Sequence, residues 1–386
     1  MYIFVLFIIL LNGILNGKKR KVFVISSFAL IILVAALRKY TVGIDLAEHY
    51  ASRFTAIANL SWEQIPTFYM IHTYDFGFLI FDKLLGYISD NPQIFIIATS
   101  VIIYGSVARY IYRHSENVVM ETFLFFTSFT MMMYLNIIAQ ALAIAILLFA
   151  LDYLASKKYA MYALIVLLAA LIHSSALICL GFIPLTFLPN KRKYIIRYII
   201  LLLVLLLGLD EIVNFLTKTV FQQYAYYFES GSYHGSGISI SFNSLFQISM
   251  HIITILIAVI FMKRGGVFDE SRLTISEHRK RSFFSKTYHL SNIPQFTTNF
   301  LLYMSISAAV FRILAYQSYI ITRMGFYFYF FSFTLLSRAT RSIRNASNKR
   351  IITGFIYIYM LIMFFIFYKS AGVNSYGVLP YQFFWQ

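Results

Sequence analysis

IIRYIILLLVLLLGL (residues 195–209) and IITGFIYIYMLIMFFIFY (residues 351–368) carry apolar side chains on every face of a helix. A helix at a water boundary keeps a polar stripe, so runs that are greasy all round belong in lipid. The same texture fills the chain: of 386 residues, 60% are hydrophobic and only 12% are charged, with a mean hydropathy of +0.74. The fold class is therefore all-α, a polytopic membrane helical bundle of about 12 transmembrane helices plus re-entrant or interfacial pieces. Residues 1–386 read as a single integral membrane domain, with 40 Phe and 30 Tyr to furnish interfacial belts. Residues 1–16 are apolar without a basic leader or cleavage site, so they read as a retained first span.

Spans are expected at residues 2–15, 22–37, 93–111, 120–134, 137–154, 159–172, 174–188, 194–209, 244–262, 299–316, 319–336 and 351–368. Residues 78–88 are apolar but short and interrupted by Asp82 and Lys83, which suits a re-entrant or tucked segment. With that piece not crossing, 24 of the 32 Lys and Arg fall on one side, and the positive-inside rule makes it the cytoplasm. The net charge of +17 thus reports topology and not a nucleic-acid partner. Residues 38–78 and the Tyr-rich loop 210–243 face outward, while the basic loop 263–298 faces inward. The few outer cations stand out against this bias.

Arg38 to Tyr50, RKYTVGIDLAEHY, crowds charge, glycine and tyrosine directly after the second span, where charge is costly. Arg38, Arg312 and Arg323 all fall near the outer boundary. Their planar guanidinium groups suit a pyrophosphate, or they snorkel to lipid headgroups. Asp45 could serve as a base, pair with Arg38, or cap a helix starting at Leu46, with Gly43 freeing the backbone before it. His173, in LIHSSAL, reads as a hydrogen-bonded neutral histidine or as a proton carrier at an outward cavity. Gln140 sits alone in an apolar helix, as interhelical glue does. Residues 224–233 read either as a sugar-stacking surface or as an interfacial lid. The single Cys179 excludes an intramolecular disulfide and a cysteine-cluster metal site. No HExxH, P-loop, GxGxxG or nucleophile elbow occurs, so no metal and no cofactor are expected.

Taken in order, these residues resemble the EpsG-like branch of the Wzy-type polysaccharide polymerases. The resemblance rests on Arg38, Gly43, Asp45 and Tyr50, spaced R-x4-G-x-D-x4-Y. It continues through Tyr74-Asp75-Phe76-Gly77-Phe78, where the family tends to have Tyr-Glu-x-Gly-Phe, and His173-Ser174-Ser175-Ala176. YIITRMG at 319–325 and the late Pro380-Tyr381 complete it. Two positions depart from the pattern: Ala139-Gln140 stands where the family often has Arg-Gln, and Asp75 replaces a glutamate.

The resemblance implies a GT-C-like glycosyltransferase at the outer face of the bacterial cytoplasmic membrane. Its donor and acceptor would be glycans carried on undecaprenyl pyrophosphate, with no metal or nucleotide sugar, and a flippase and a chain-length regulator would be its neighbours. Arg38, Arg312 and Arg323 would hold pyrophosphate. Asp45 or His173 would activate the acceptor, Asp75 would be a further catalytic residue, and Tyr50, Gln140 and Tyr319 would position the glycan. An O-antigen ligase shares the donor, and a lipid-linked oligosaccharide flippase is a third reading. A flippase would bury charge in a central cavity between two similar halves, and no internal repeat is detected.

Overall fold

The computed structural model describes residues 1–71, 75–189, 191–208, 211, 242–262, 295–316, 319–371 and 376–386. Tyr74, the aromatic run 224–233 and nearly all of the loops 210–243 and 263–298 lie outside the described residues. Those described are helices and turns with no strand among them; one antiparallel bridge joins Arg38 to Phe383. Four helices, Pro92–His114, Ile138–Ala155, Leu245–Met262 and Ala346–Lys369, are long and apolar enough to cross a membrane. Shorter apolar helices accompany them, and the fold is that of an all-α polytopic membrane protein.

Two compact units divide the chain. The first comprises Met1–Tyr112, Val118–Leu180 and Ile358–Gln386; the second comprises Arg113–Asn117 and Gly181–Tyr357. In the first, α1 (Tyr2–Asn16), α2 (Arg20–Ala36) and α7 (Val118–Thr127) pack together, next to α6 (Pro92–His114) in sequence. After α8 (Thr130–Met133), α9 (Ile138–Ala155) and α10 (Tyr159–Ile172) form a close hairpin. Ala139, Ala141, Ala143 and Ala145 line α9, and small residues of this kind let neighbouring helices approach. Between α2 and α6 lie α3 (Ala51–Asn59), α4 (Ile65–Ile71) and α5 (Phe76–Gly86). The 11 residues of α5 span about 16 Å, half a hydrocarbon core, so this helix is too short to cross. It packs against α3 and α10 instead.

The second unit contains α11 (Phe182–Leu185), α12 (Arg192–Leu207), α13 (Phe242–Ile257), α14 (Thr298–Ile313), α15 (Tyr319–Gly325) and α16 (Tyr329–Arg341). The unit boundary falls within α17 (Ala346–Ala371). Here α13, α14 and α16 pack mutually, and α12 lies on α14.

Three expected spans are interrupted. Residues 120–134 break at Phe129, which adopts φ 63°; its ring packs against Phe364 and Phe367, with centroids 5.0 and 3.9 Å away. Residues 174–188 begin as a tight 3₁₀ turn, Ser174–Gly181, before α11. Residues 319–336 divide into α15 and α16, and α16 runs on to Arg341. Arg338, expected in a solvated inner loop, is 9% exposed. It donates from Nε to Glu116 Oε1 at 2.8 Å and from its terminal nitrogen to the Phe296 carbonyl at 2.8 Å. Apolar composition alone could not reveal the break at Phe129, where the ring packs against Phe364 and Phe367 from a distant helix.

Candidate functional site

The stretch from Arg38 to Tyr50 folds as a loop followed by one wide helical turn. Gly43 adopts φ +114°, where a side chain would be strained, and a Cβ there would stand 3.2 Å from the Leu135 carbonyl oxygen. The C-terminal tail closes over this loop. Gly43 N–H donates to Gly377 at 2.9 Å, Ile44 N–H to Tyr376 at 3.2 Å and Lys39 N–H to Gln382 at 2.9 Å. Tyr381, from the late Pro-Tyr pair, donates its hydroxyl to the Val34 carbonyl at 2.9 Å.

Arg38 is only 2% exposed. Its guanidinium donates to the carbonyls of Ala35 at 2.9 Å and Leu135 at 3.3 Å, with Tyr2, Tyr104 and Tyr381 around the charge. The expected pairing of Arg38 with Asp45 therefore does not form. Nor does Asp45 act as a cap: at φ −61° and ψ −31° it already lies within the helical turn and accepts no capping bond, whereas a capping side chain needs an extended backbone.

Tyr50 reaches the start of α9. Its hydroxyl accepts the Ala139 N–H at 3.4 Å, one of the amides that a helix start leaves without an internal partner. Where the resemblance suggested an arginine, the chain thus uses main chain, with Ala139 at 7% exposure and Gln140 at 1%. One turn beyond Tyr50 is a pair that the sequence reading missed. Arg53 holds Asp82 through Nε at 2.9 Å and a terminal nitrogen at 2.7 Å, both side chains at most 2% exposed. The Arg53 guanidinium also lies 4.0 Å over the Phe78 ring and 4.9 Å over the Tyr50 ring. Burial pushes the Asp82 carboxyl up to about 6, against the downward pull of Arg53. Lys83 likewise folds inward, its ammonium donating to Ala58 at 2.9 Å and to Leu60. The signal for both was a pair of charges inside the short apolar run 78–88.

The second and third motifs meet. Asp75 begins α5 with an extended backbone (φ −68°, ψ 133°) but caps nothing with its side chain. Its Oδ2 lies instead 3.2 Å from Nδ1 of His173, which ends α10, 98 residues away in sequence. The two side chains are 11% and 19% exposed, so the pair is sheltered but open at one edge. A carboxylate at a helix start and an imidazole at a helix end each sit where the helix dipole favours their charges. Gly77 makes this approach possible, because a Cβ there would lie 2.6 Å from the Leu171 carbonyl oxygen. Gly77→Ala is accordingly expected to push α5 off α10 and weaken the Asp75–His173 contact. A loss of thermal stability together with activity, measured on the purified protein, checks this; a wild-type melting point contradicts it.

The other expected site residues belong to the second unit. Arg312 closes α14 half-buried, its charge acting on Tyr329 and on His251. Arg323 is half-buried on α15, and Tyr319 opens that helix, with its side chain outside the described residues. Arg38 and the two later arginines therefore lie in different units. Among the described residues, no three His, Cys, Asp or Glu side chains gather as metal ligands would.

The motifs that cluster around α5, α9 and the tail run through most of the chain, and so does the match to a family: residues 21–383 fit the family model of EpsG. The chain belongs to the EpsG family. This is a family of Wzy-type polysaccharide polymerase-like proteins, and EpsG membership makes the chain a polysaccharide polymerase-like membrane protein. No curated protein and no solved structure matches it.

Proposed function

We propose that this EpsG-family protein is a glycosyltransferase that joins lipid-linked repeat units into a surface polysaccharide at the outer face of the bacterial cytoplasmic membrane. The observation that carries this reading is the Asp75–His173 pair, a carboxylate set on an imidazole by two distant motifs. Asp75 at Nδ1 orients the ring, which leaves Nε2 to serve as the base. A hydroxyl of the incoming unit attacks the anomeric carbon of the growing chain. The new C–O bond forms as the bond from that carbon to the diphosphate oxygen breaks; the hydroxyl proton passes to His173, and the electron pair leaves with undecaprenyl diphosphate.

Fixed guanidinium groups neutralise a diphosphate leaving group without proton transfer. We assign that task to Arg312 and Arg323. Arg38, enclosed by carbonyls and tyrosines, holds the loop that carries Asp45 and Tyr50. Arg312→Ala and Arg323→Ala should each lower kcat/KM by about 10²-fold, the usual loss when a donor to a developing charge is removed. Rates within threefold of wild type would withdraw the assignment.

The decisive experiment incubates purified protein with lipid-linked repeat units. A ladder of products is expected. A single transfer to another acceptor would make the protein a ligase, and no new glycosidic bond would make it a transporter.

A further inference from the structure

The second unit holds buried polar atoms that no step above uses. His251 of α13 lies among the packed α13, α14 and α16 and is 0% exposed. Its Nδ1 is 3.1 Å from Ser332 Oγ on α16, and its ring lies 4.7 Å from that of Tyr329. Among the described residues, its Nε2 has no hydrogen-bond partner. Gln247, one turn earlier on the same face, is 5% exposed, and its Oε1 likewise has none among the described residues. The charge of Arg312, from α14, acts on this imidazole.

Each buried polar atom left unsatisfied costs free energy, and near-isosteric apolar side chains would pack the same helix face without that cost. The Ser332 bond explains one nitrogen of His251 and leaves the other, with Gln247, unexplained. Their chemistry is complementary. The amide oxygen accepts a hydrogen bond, and Nε2 donates one when the Ser332 hydroxyl donates to Nδ1. One ligand hydroxyl satisfies both at once, giving its proton to Gln247 and accepting from His251. Arg312, whose charge acts on the imidazole, brings a planar fork of donors that matches phosphate oxygens. Gln247 and His251 lie about 8 and 14 Å along α13 from Phe242, and Arg312 is the penultimate residue of α14. Gln247 thus lies in the first half of α13, His251 just past its middle, and the half-buried Arg312 at the end of α14.

We propose that Gln247 and His251, together with Arg312, form an intramembrane subsite for a glycosyl phosphate. Arg312 takes a phosphate oxygen, and the amide and imidazole read a hydroxyl of the sugar attached to it. This rests on the reading of a lipid-linked donor given above.

The test measures binding to the full chain in lipid nanodiscs. The probes are bare undecaprenyl diphosphate and the lipid-linked saccharide that accumulates in cells deleted for this gene. Wild type should bind the saccharide form about tenfold more tightly than the bare diphosphate, a difference of about 1.4 kcal/mol. Gln247→Met should erase that preference while leaving affinity for the bare diphosphate and the melting temperature unchanged. His251→Leu should erase it too, and Arg312→Ala should weaken both ligands. Retention of the preference in Gln247→Met and His251→Leu, or its absence in wild type, overturns the subsite alone. A Gln247→Met protein that keeps the preference but melts several degrees lower assigns Gln247 to structure, which also overturns it. A wild type that binds neither probe removes the lipid-linked donor and the subsite with it.

Discussion

Asp75→Asn and His173→Ala each slow elongation by about 10² to 10⁴-fold, the range that a positioned general base contributes. If the carboxylate acts by orienting the imidazole at 3.2 Å, as proposed, the two losses overlap, and the double variant is no slower than the worse single one. Asp75→Asn keeps the side-chain volume at the start of α5 and removes only the charge that orients Nδ1. Its defect should therefore appear in kcat, with the melting temperature intact. Single-turnover assays on lipid-linked repeat units check this. Rates within threefold of wild type for both variants would remove the pair from the chemistry, and strictly multiplicative losses would show that the two residues act separately.

The largest effect on stability is expected at Asp82. Asp82→Ala leaves the Arg53 guanidinium buried at 2% side-chain exposure without its carboxylate, a change that costs about 3–5 kcal/mol when one partner of a buried pair is lost. The consequence reaches the site, since Arg53 also packs over Tyr50 and Phe78. The paired replacement Arg53→Met with Asp82→Leu removes both charges and should recover much of that loss. Thermal unfolding of the variants in detergent decides the matter: a single variant as stable as wild type would show that the pair holds nothing together.

The motifs of the first unit were legible one by one. Gly43 was expected to relax the backbone before Leu46, and it adopts the positive φ that requires glycine. Asp75 was picked out within the motif at 74–78 and His173 as a polar residue between apolar spans, but their contact was not, because 98 residues separate them. Arg38 was read as a cation near the outer boundary, holding pyrophosphate or reaching headgroups, and its side chain is enclosed. The tyrosines around its charge come from α1, α6 and the tail, which no local pattern links to it. His251 and Gln247 passed unnoticed, because a single imidazole or amide in an apolar helix looks the same from sequence whether it is satisfied or not.

Composition and the sign of the loop charges determined that the chain is an all-α membrane protein, because the cost of exposing polar groups to lipid acts on every residue where it stands. Tertiary structure alone decided which scarce polar side chains face one another. Those contacts depend on how closely helices far apart in sequence can approach, as at Gly77 against Leu171, and that distance is written in no single stretch of the chain.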